Sequence, residues 1–424
     1  MKNVLFLLML MMISVTTAQD IYLQCGKIVD VASGKILSEK TIVISENRIK
    51  EIKNGFVVGS DTDQVIDLSS KTILPGFIDM HVHIESESSP SRYLEAFTMN
   101  EADVAFESTV YAKRTLMAGF TTVRDLGGSG VNIALKKAID KGVVVGPRIF
   151  TAGKALASTG GHADPTNGRS NELMGDPGPK EGVVNSPEDG RKAVRQRYKD
   201  GADVIKITAT GGVLSVAKSG QNPQFTIEEI KAITDTANDY GMLTAAHAHG
   251  DEGMQRAILG GIKTIEHGTL MSEETMDLMI KHNTFMVPTI SAGQEAARLA
   301  KIPNYLPPVV AKKALEIGPK LNATFTKAYK KGVSIAFGTD SGVSPHGDNA
   351  KEFIYMNKAG MPIIEALRSA TITNAMLLGE KELGQIKEGY IADIVAVNEN
   401  PLDHVETLTN VVFVMKEGVV YKKL

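Results

Sequence analysis

The sequence predicts an α/β fold, a (β/α)8 TIM barrel with a small β-sandwich formed from both chain ends. Three observations predict it. Through the middle of the chain, short apolar strand candidates alternate eight times with longer helical patterns. Both ends are instead rich in β-branched residues and broken by Gly, Asn and Ser-Gly turn signals. And two histidines, His81 and His83, stand one residue apart at the end of the apolar run GFIDM.

The gross numbers agree. The chain has 424 residues, 43% hydrophobic and 22% charged, which suits one large or two smaller globular domains. The net charge is −3, with acids and bases mixed and no basic stripe, so no nucleic-acid partner is expected. Trp is absent, which weighs against a sugar-stacking surface.

Residues 1–18 read as a secretory signal peptide. Lys2 precedes an apolar run from Val4 to Val15, and Thr16 and Ala18 are small enough for cleavage after Ala18. The run is short for a membrane span. The mature chain is therefore expected to be exported, periplasmic or secreted, without a stable membrane anchor. Cys25 is the only cysteine, so no internal disulfide can form, and it reads as a small apolar strand residue.

The pieces IYLQCGKIVDV, KTIVISENRIKEI and TDQVIDLSSKTILPG make the first part of the sandwich, over 19–72. The barrel follows over 73–383, with strands expected at 77–83, 121–124, 148–151, 204–208, 243–247, 264–267, 285–289 and 334–338. Helical stretches such as SPEDGRKAVRQRYKDG and TIEEIKAITDTANDYG lie between them and end at Gly, as a C-cap requires. The second part of the sandwich spans 384–424, with GYIADIVAVNENP and NVVFVMKEGVVYKK. The stretch 158–182 is a long Gly-, Pro-, Asp- and Asn-rich loop, to be read as a pocket wall or as a solvated insertion.

Barrel enzymes carry their chemistry at the C-terminal ends of the strands. Those ends here hold His81 and His83, Lys206, His247 and His249, His267 and Asp340. Residues i and i+2 of a strand share a face, so His81 and His83 project together. Taken singly, a strand-end His can be a hydrogen-bonded structural residue, Asp340 a helix N-cap and Lys206 a snorkelling side chain. Packing does not explain all of them on one rim. Neutral imidazoles and a carboxylate are the usual ligands of zinc-like ions. A protonated Lys206 would be repelled by two divalent cations. A neutral one could take up CO2 as a carbamate, whose two oxygens could bridge two metals. Such a pair polarises a carbonyl or phosphoryl oxygen.

The segments GFIDMHVH, DVIKIT with Lys206, AAHAH, IEHGT and GTDSG occur in this order, followed by EALRSATITNAMLLG and LGQIKEGYIADIVAVNENPL. In them the chain resembles the amidohydrolase superfamily over its whole mature length. Through DVIKITATGGVLS, AAHAHG and TIEHGT it is most similar to the imidazolonepropionase-related group, which contains metal-dependent Xaa-Pro dipeptidases and ochratoxinase-type amide hydrolases.

That resemblance implies a binuclear amidohydrolase with two divalent ions, zinc by type. His81, His83 and Asp340 would hold the more buried ion, and His247 and His267 the second. Lys206, as N6-carboxylysine, would bridge them. The bridging hydroxide would attack the amide carbonyl, and Asp340 would pass the proton to the leaving nitrogen. His162 and His249 are expected to contact the substrate. His346 lies between a rim role and a loop role, and Arg124-Asp125 reads as an internal ion pair. His282 and His404 read as surface residues. The substrate would be a small peptide or amide, of Xaa-Pro, N-acyl or aryl amino-acid type, and barrels of this kind can form homo-oligomers.

Three other readings compete. A mononuclear deaminase would lack the strand-four lysine, so Lys206 argues against it. A lactone or phosphoester hydrolase could use the same two ions. A non-catalytic exported binding protein would show missing ligands, and none is missing here.

Overall fold

A computed structural model describes residues 19–217 and 219–423. The expected signal peptide lies outside the described residues. No helix among the described residues is long and apolar enough to cross a membrane.

The described residues open with four strands, β1 (Ile21–Asp30), β2 (Lys35–Ser45), β3 (Arg48–Asn54) and β4 (Gln64–Pro75). Seven short strands follow, separated by helices. They are β5 (Phe77–Val82), β6 (Phe120–Asp125), β7 (Arg148–Thr151), β8 (Val204–Thr208), β9 (Leu243–Ala248), β10 (Thr264–His267) and β11 (Phe285–Val287). The chain closes with β12 (Ile394–Val397), β13 (Phe413–Lys416) and β14 (Val419–Lys422).

The middle strands pair in parallel as two sheets, β5-β6-β7 and β11-β10-β9-β8. Isolated parallel bridges join neighbouring segments at Leu156–Ile207, Met286–Ile335 and Val82–Ser341. The eighth strand expected at 334–338 is not a regular strand: only Ile335 makes a bridge there. Just after it the backbone turns sharply, with Asp340 at φ 57°.

The helices between strands carry the caps their sequences promise. Ser186 accepts from the Asp189 N–H, Pro187 opens the helix Pro187–Asp200, and Gly201 ends it at φ 100°. Thr226 and Glu229 form a reciprocal capping box on Ile227–Asp239. At the N-terminal ends of β5 and β6, Phe77 and Phe120 pack with Phe337 and Phe353 at centroid distances of 4.4–5.7 Å. Each such buried ring contributes about 1.5–3 kcal/mol. The strands thus start in hydrocarbon and finish in polar groups.

Both chain ends meet in one seven-stranded sheet of order β14-β13-β12-β4-β1-β2-β3. The two layers expected of a sandwich are not two separate sheets. Arg48, at the start of edge strand β3, bridges Ile391 just ahead of β12, so the sheet folds back on itself. It encloses a separate core of Leu23, Cys25, Ile28, Ile42, Phe413 and Met415, among others.

Candidate active site

His81 lies in β5 with His83 just beyond its end, Lys206 in β8, and His247 in β9 with His249 just beyond. His267 ends β10, and Asp340 follows the irregular eighth segment. All seven line one cavity of about 260 Å³, together with His162 and Arg92. Both imidazoles of each i, i+2 pair face it, as strand geometry dictates.

The donors converge closely. Asp340 Oδ1 lies 3.5 Å from His81 Nε2 and 3.4 Å from His83 Nε2. One donor atom each of His81, His267 and Asp340 lie within 4.8 Å of one another, and so do those of His247, His249 and His267. His267 belongs to both groups.

Surrounding groups decide which ring nitrogen faces the cavity. His83 Nδ1 sits 2.7 Å from the Gly127 carbonyl, so it must donate there, leaving Nε2 bare. His267 Nδ1 meets Thr289 Oγ1 at 2.7 Å, and His249 Nδ1 meets Thr269 Oγ1 at 2.8 Å. His247 is turned the other way, with Nε2 3.1 Å from the Gly211 carbonyl.

His81 Nδ1 lies 2.9 Å from a carboxylate oxygen of Glu266, a fully buried residue. Arg124 donates to the other Glu266 oxygen at 2.8 Å, to Thr264 Oγ1 at 3.0 Å and to the Met80 carbonyl at 2.6 Å. The internal ion pair expected at Arg124 is therefore made, but with Glu266. Asp125 instead accepts from the Ile84 N–H, Asn132 and Thr151. Glu266 was not singled out from the sequence. Its one signal is a carboxylate between Ile265 and His267 in a strand, an expensive place for an unpaired charge.

The loop bearing Asp340 is tied down by Asp79. That carboxylate accepts from the His81 and Thr339 N–H groups, from Thr339 Oγ1 at 2.7 Å and from Asn349 at 2.8 Å. Glu352 does the same at the start of helix Ile290–Leu299, accepting from the Ile290 and Ser291 N–H groups. Three non-glycine residues here adopt positive φ: His267 at 72°, Thr289 at 51° and Asp340 at 57°. Each holds an uncommon conformation that the surrounding hydrogen bonds must impose.

Burial depresses the imidazoles. His162 and His249 are driven down to about 3, and His81, His247 and His267 well below the usual imidazole range, so all stay neutral with free lone pairs. Burial brings the Lys206 ammonium down to about 8, against the pull of the Glu266 and Asp340 carboxylates. It pushes the Asp340 carboxyl up to about 7, against Lys206 and Arg92. Asp340 Oδ1 and His162 Nδ1 are buried without a hydrogen-bond partner among the described residues. A buried carboxylate oxygen left unpaired beside neutral imidazoles fits divalent cations, which would also reverse the Asp340 shift.

The opposite wall of the cavity is hydrocarbon, from Val213, Leu214, Ala292, Ala296, Ile317 and Leu321. Val213 and Leu214 sit on the loop after β8. Lys313 pins that loop through the carbonyls of Gly212, Ser215 and Ala217, at 2.7–2.8 Å, and Tyr93 through that of Leu214 at 3.0 Å. A Cβ at Gly212 would come within 2.2 Å of the His162 ring, so any side chain there would displace that ring. His162 stacks on His247 at 4.3 Å. The loop 158–182 is a pocket wall. It gives His162 and Ala163 to the cavity, and Pro165, Thr166 and Arg169 to an outer vestibule of about 850 Å³. His346 does not line the cavity: its Nε2 meets the Ser86 carbonyl at 2.9 Å, and its ring stacks on Tyr111. His282 and His404 are exposed.

Residues 72–421 match the Amidohydrolase family. Ochratoxinase of Aspergillus niger is 32% identical over 371 residues, covering 82% of this chain and 75% of that protein. Among solved structures, a Xaa-Pro dipeptidase with methionine bound in its active site is 51% identical, with a TM-score of 0.92, covering 95% of this chain and 100% of that one. A prolidase complexed with N-methylphosphonate-L-proline is 33% identical, with a TM-score of 0.88, covering 96% and 100%.

Proposed function

The chain belongs to the amidohydrolase family, and from that premise we propose that it is a binuclear metal-dependent enzyme releasing the C-terminal residue of Xaa-Pro dipeptides or bulky N-acyl amino acids. That it is a hydrolase of amide bonds follows from the family and its relatives. The finer reading is carried by one observation: His267 belongs to both donor groups, so the two groups adjoin, which supports two neighbouring ions.

In this reading His81, His83 and Asp340 would hold one ion, His247 and His267 the other, and Lys206, as its carbamate, would serve both. Two zinc ions would supply Lewis acidity and a nucleophilic water at neutral pH. The chain's own residues do the rest. Glu266 and Thr289 keep His81 and His267 turned towards the cavity. Asp340 takes the proton of the attacking water and delivers it to the amide nitrogen, which would otherwise have to depart as an amide anion, a very poor leaving group. His162 and His249 contact the substrate, and the hydrocarbon wall excludes water and receives an apolar side chain. The amino-acid ligand of the dipeptidase relative and the proline ligand of the prolidase support a pocket of this size.

The same reading takes the two parallel sheets as one (β/α)8 barrel over 73–383, supported by the Leu156–Ile207 bridge between them and by the bridges from Met286 and Val82 to Ile335 and Ser341 of the eighth segment and its end. Export remains part of the proposal and rests on residues 1–18 alone. The test is hydrolysis of Xaa-Pro, Xaa-Phe and an aryl amide of phenylalanine by the mature protein, zinc-loaded and after chelation. Metal-dependent release of the C-terminal amino acid is expected. No turnover with metal bound would move the reading to lactones and phosphoesters, and then to a binding role.

A further inference from the structure

The cavity is lined by two cationic side chains among the described residues, Lys206 and Arg92. Lys206 is buried among the metal-ligand candidates. Arg92 is different. It opens the helix Arg92–Thr98 on the rim, and it lines both the cavity and the vestibule. It therefore stands at the passage between them, with His83, Leu126, Ala155 and Ala163.

Its guanidinium makes no hydrogen bond or ion pair among the described residues, although carboxylates share its wall. Two of those carboxylates are engaged elsewhere. Glu95 accepts from Ser89 and Ser91. Glu87 accepts from the His346 N–H and pairs with Arg114 at 3.5 Å. The side chain is exposed, so its planar fork of donors is open to an incoming carboxylate, which it matches in shape and charge.

We propose that Arg92 is the anchor for the free carboxylate of the substrate, so that the enzyme selects amides of amino acids with an unblocked carboxylate. This rests on the amide-hydrolase reading and adds what that reading lacks, a residue that tells an acid from its neutral amide. With Lys206 in its anionic carbamate form, no other cation among the described residues lines the cavity to do so.

The test uses the metal-loaded full chain and two pairs of ligands. N-acetyl-L-methionine and N-acetyl-L-methioninamide are compared as substrates, the latter at its acetyl amide bond. The methyleneamine analogue of Leu-Pro, which cannot be hydrolysed, and its C-terminal amide are compared by calorimetry. Arg92→Gln should lower kcat/KM for the acid about 10- to 100-fold, mainly through KM, and leave the amide unchanged. It should weaken binding of the acid analogue by the same factor and not that of its amide. Arg92→Lys should recover part of both losses, because it keeps the charge but not the fork. The binding arm separates the two ideas. If no amide is turned over but the acid analogue still binds through Arg92, the anchor stands and the amidase reading falls. Equal affinity of wild type and Arg92→Gln for the acid, equal losses on acid and amide, or no binding of the acid by the wild type would each overturn the anchor.

Discussion

The sheet built from the chain ends and the rim of the parallel strands bury comparable kinds of backbone and opposite kinds of side chain. Inside the end sheet sit Leu23, Ile28, Ile42, Phe413 and Met415 with the lone thiol of Cys25, and buried charges there, Asp393 and Lys416, lie outside that core, bonded to Arg148 and to the Gly146 carbonyl. At the rim the buried groups are Arg124, Glu266, Asp340, Lys206 and a ring of imidazoles. Backbone strain follows this division in part. In the end sheet, positive φ at Glu46 and Glu417 serves the hairpins β2–β3 and β13–β14, where such turns need it, and Glu39 holds one in an exposed part of β2. At the rim, positive φ falls on His267, Thr289 and Asp340, where no hairpin asks for it. One region is composed for folding. The other holds charges and conformations that cost stability, and the difference marks where chemistry overrode packing.

That contrast can be broken experimentally. Asp340→Asn should lower kcat by about 10²- to 10⁴-fold. It should also raise the melting temperature of the metal-free protein, because it removes a buried, unpartnered carboxylate oxygen. A variant that loses stability along with activity would break the comparison. Lys206→Ala should lose most activity and part of the bound metal by elemental analysis, and short carboxylic acids should restore some of both. Full activity in that variant would remove the bridge assignment. Glu266→Gln sharpens the point from the supporting layer. It leaves Arg124 buried without its carboxylate, at a cost of about 3–5 kcal/mol. Metal affinity by competition titration should fall about 10- to 100-fold, since the His81 ring loses its anchor.

In the end sheet the signs invert. Leu23→Ala should cost about 2–5 kcal/mol in denaturant melts and leave kcat unchanged. A clear change in kcat there would show the two regions to be coupled. The smallest effect is expected at His249→Gln, a several-fold rise in KM with metal content intact. Loss of metal instead would make His249 a ligand, which its place beside His247 and His267 permits.

Much of this contrast was legible in the sequence. The strand pieces were short, apolar and bounded by Gly, so β7, β8 and β10 fall where expected. The i, i+2 histidines worked because strand alternation is a local rule. What escaped depended on distant partners. Glu266 is readable as a support only once Arg124 and His81, far away in the chain, are known to face it. The segment 334–338 looked like a strand, yet it makes one bridge because its backbone must turn to aim Asp340 inward. The two ends were alike in texture, and texture could not say that they would join one sheet rather than two layers. The pinning of the loop after β8 was hidden because a lysine at 313, read alone, is a surface residue.

The pairing of β4 with β12 also sets a clock. Ile73 lies against Ala396, so the central seam of the end sheet cannot zip until the whole intervening chain has been made and folded. Loop closure on that scale is slow, and high contact order slows it further. Until then β4 presents an unpaired edge, the kind of surface on which chains aggregate. Refolding should therefore show an early phase that forms the helices and a late one that reports on the end sheet. A chain cut short before β12 should lack the late phase and precipitate.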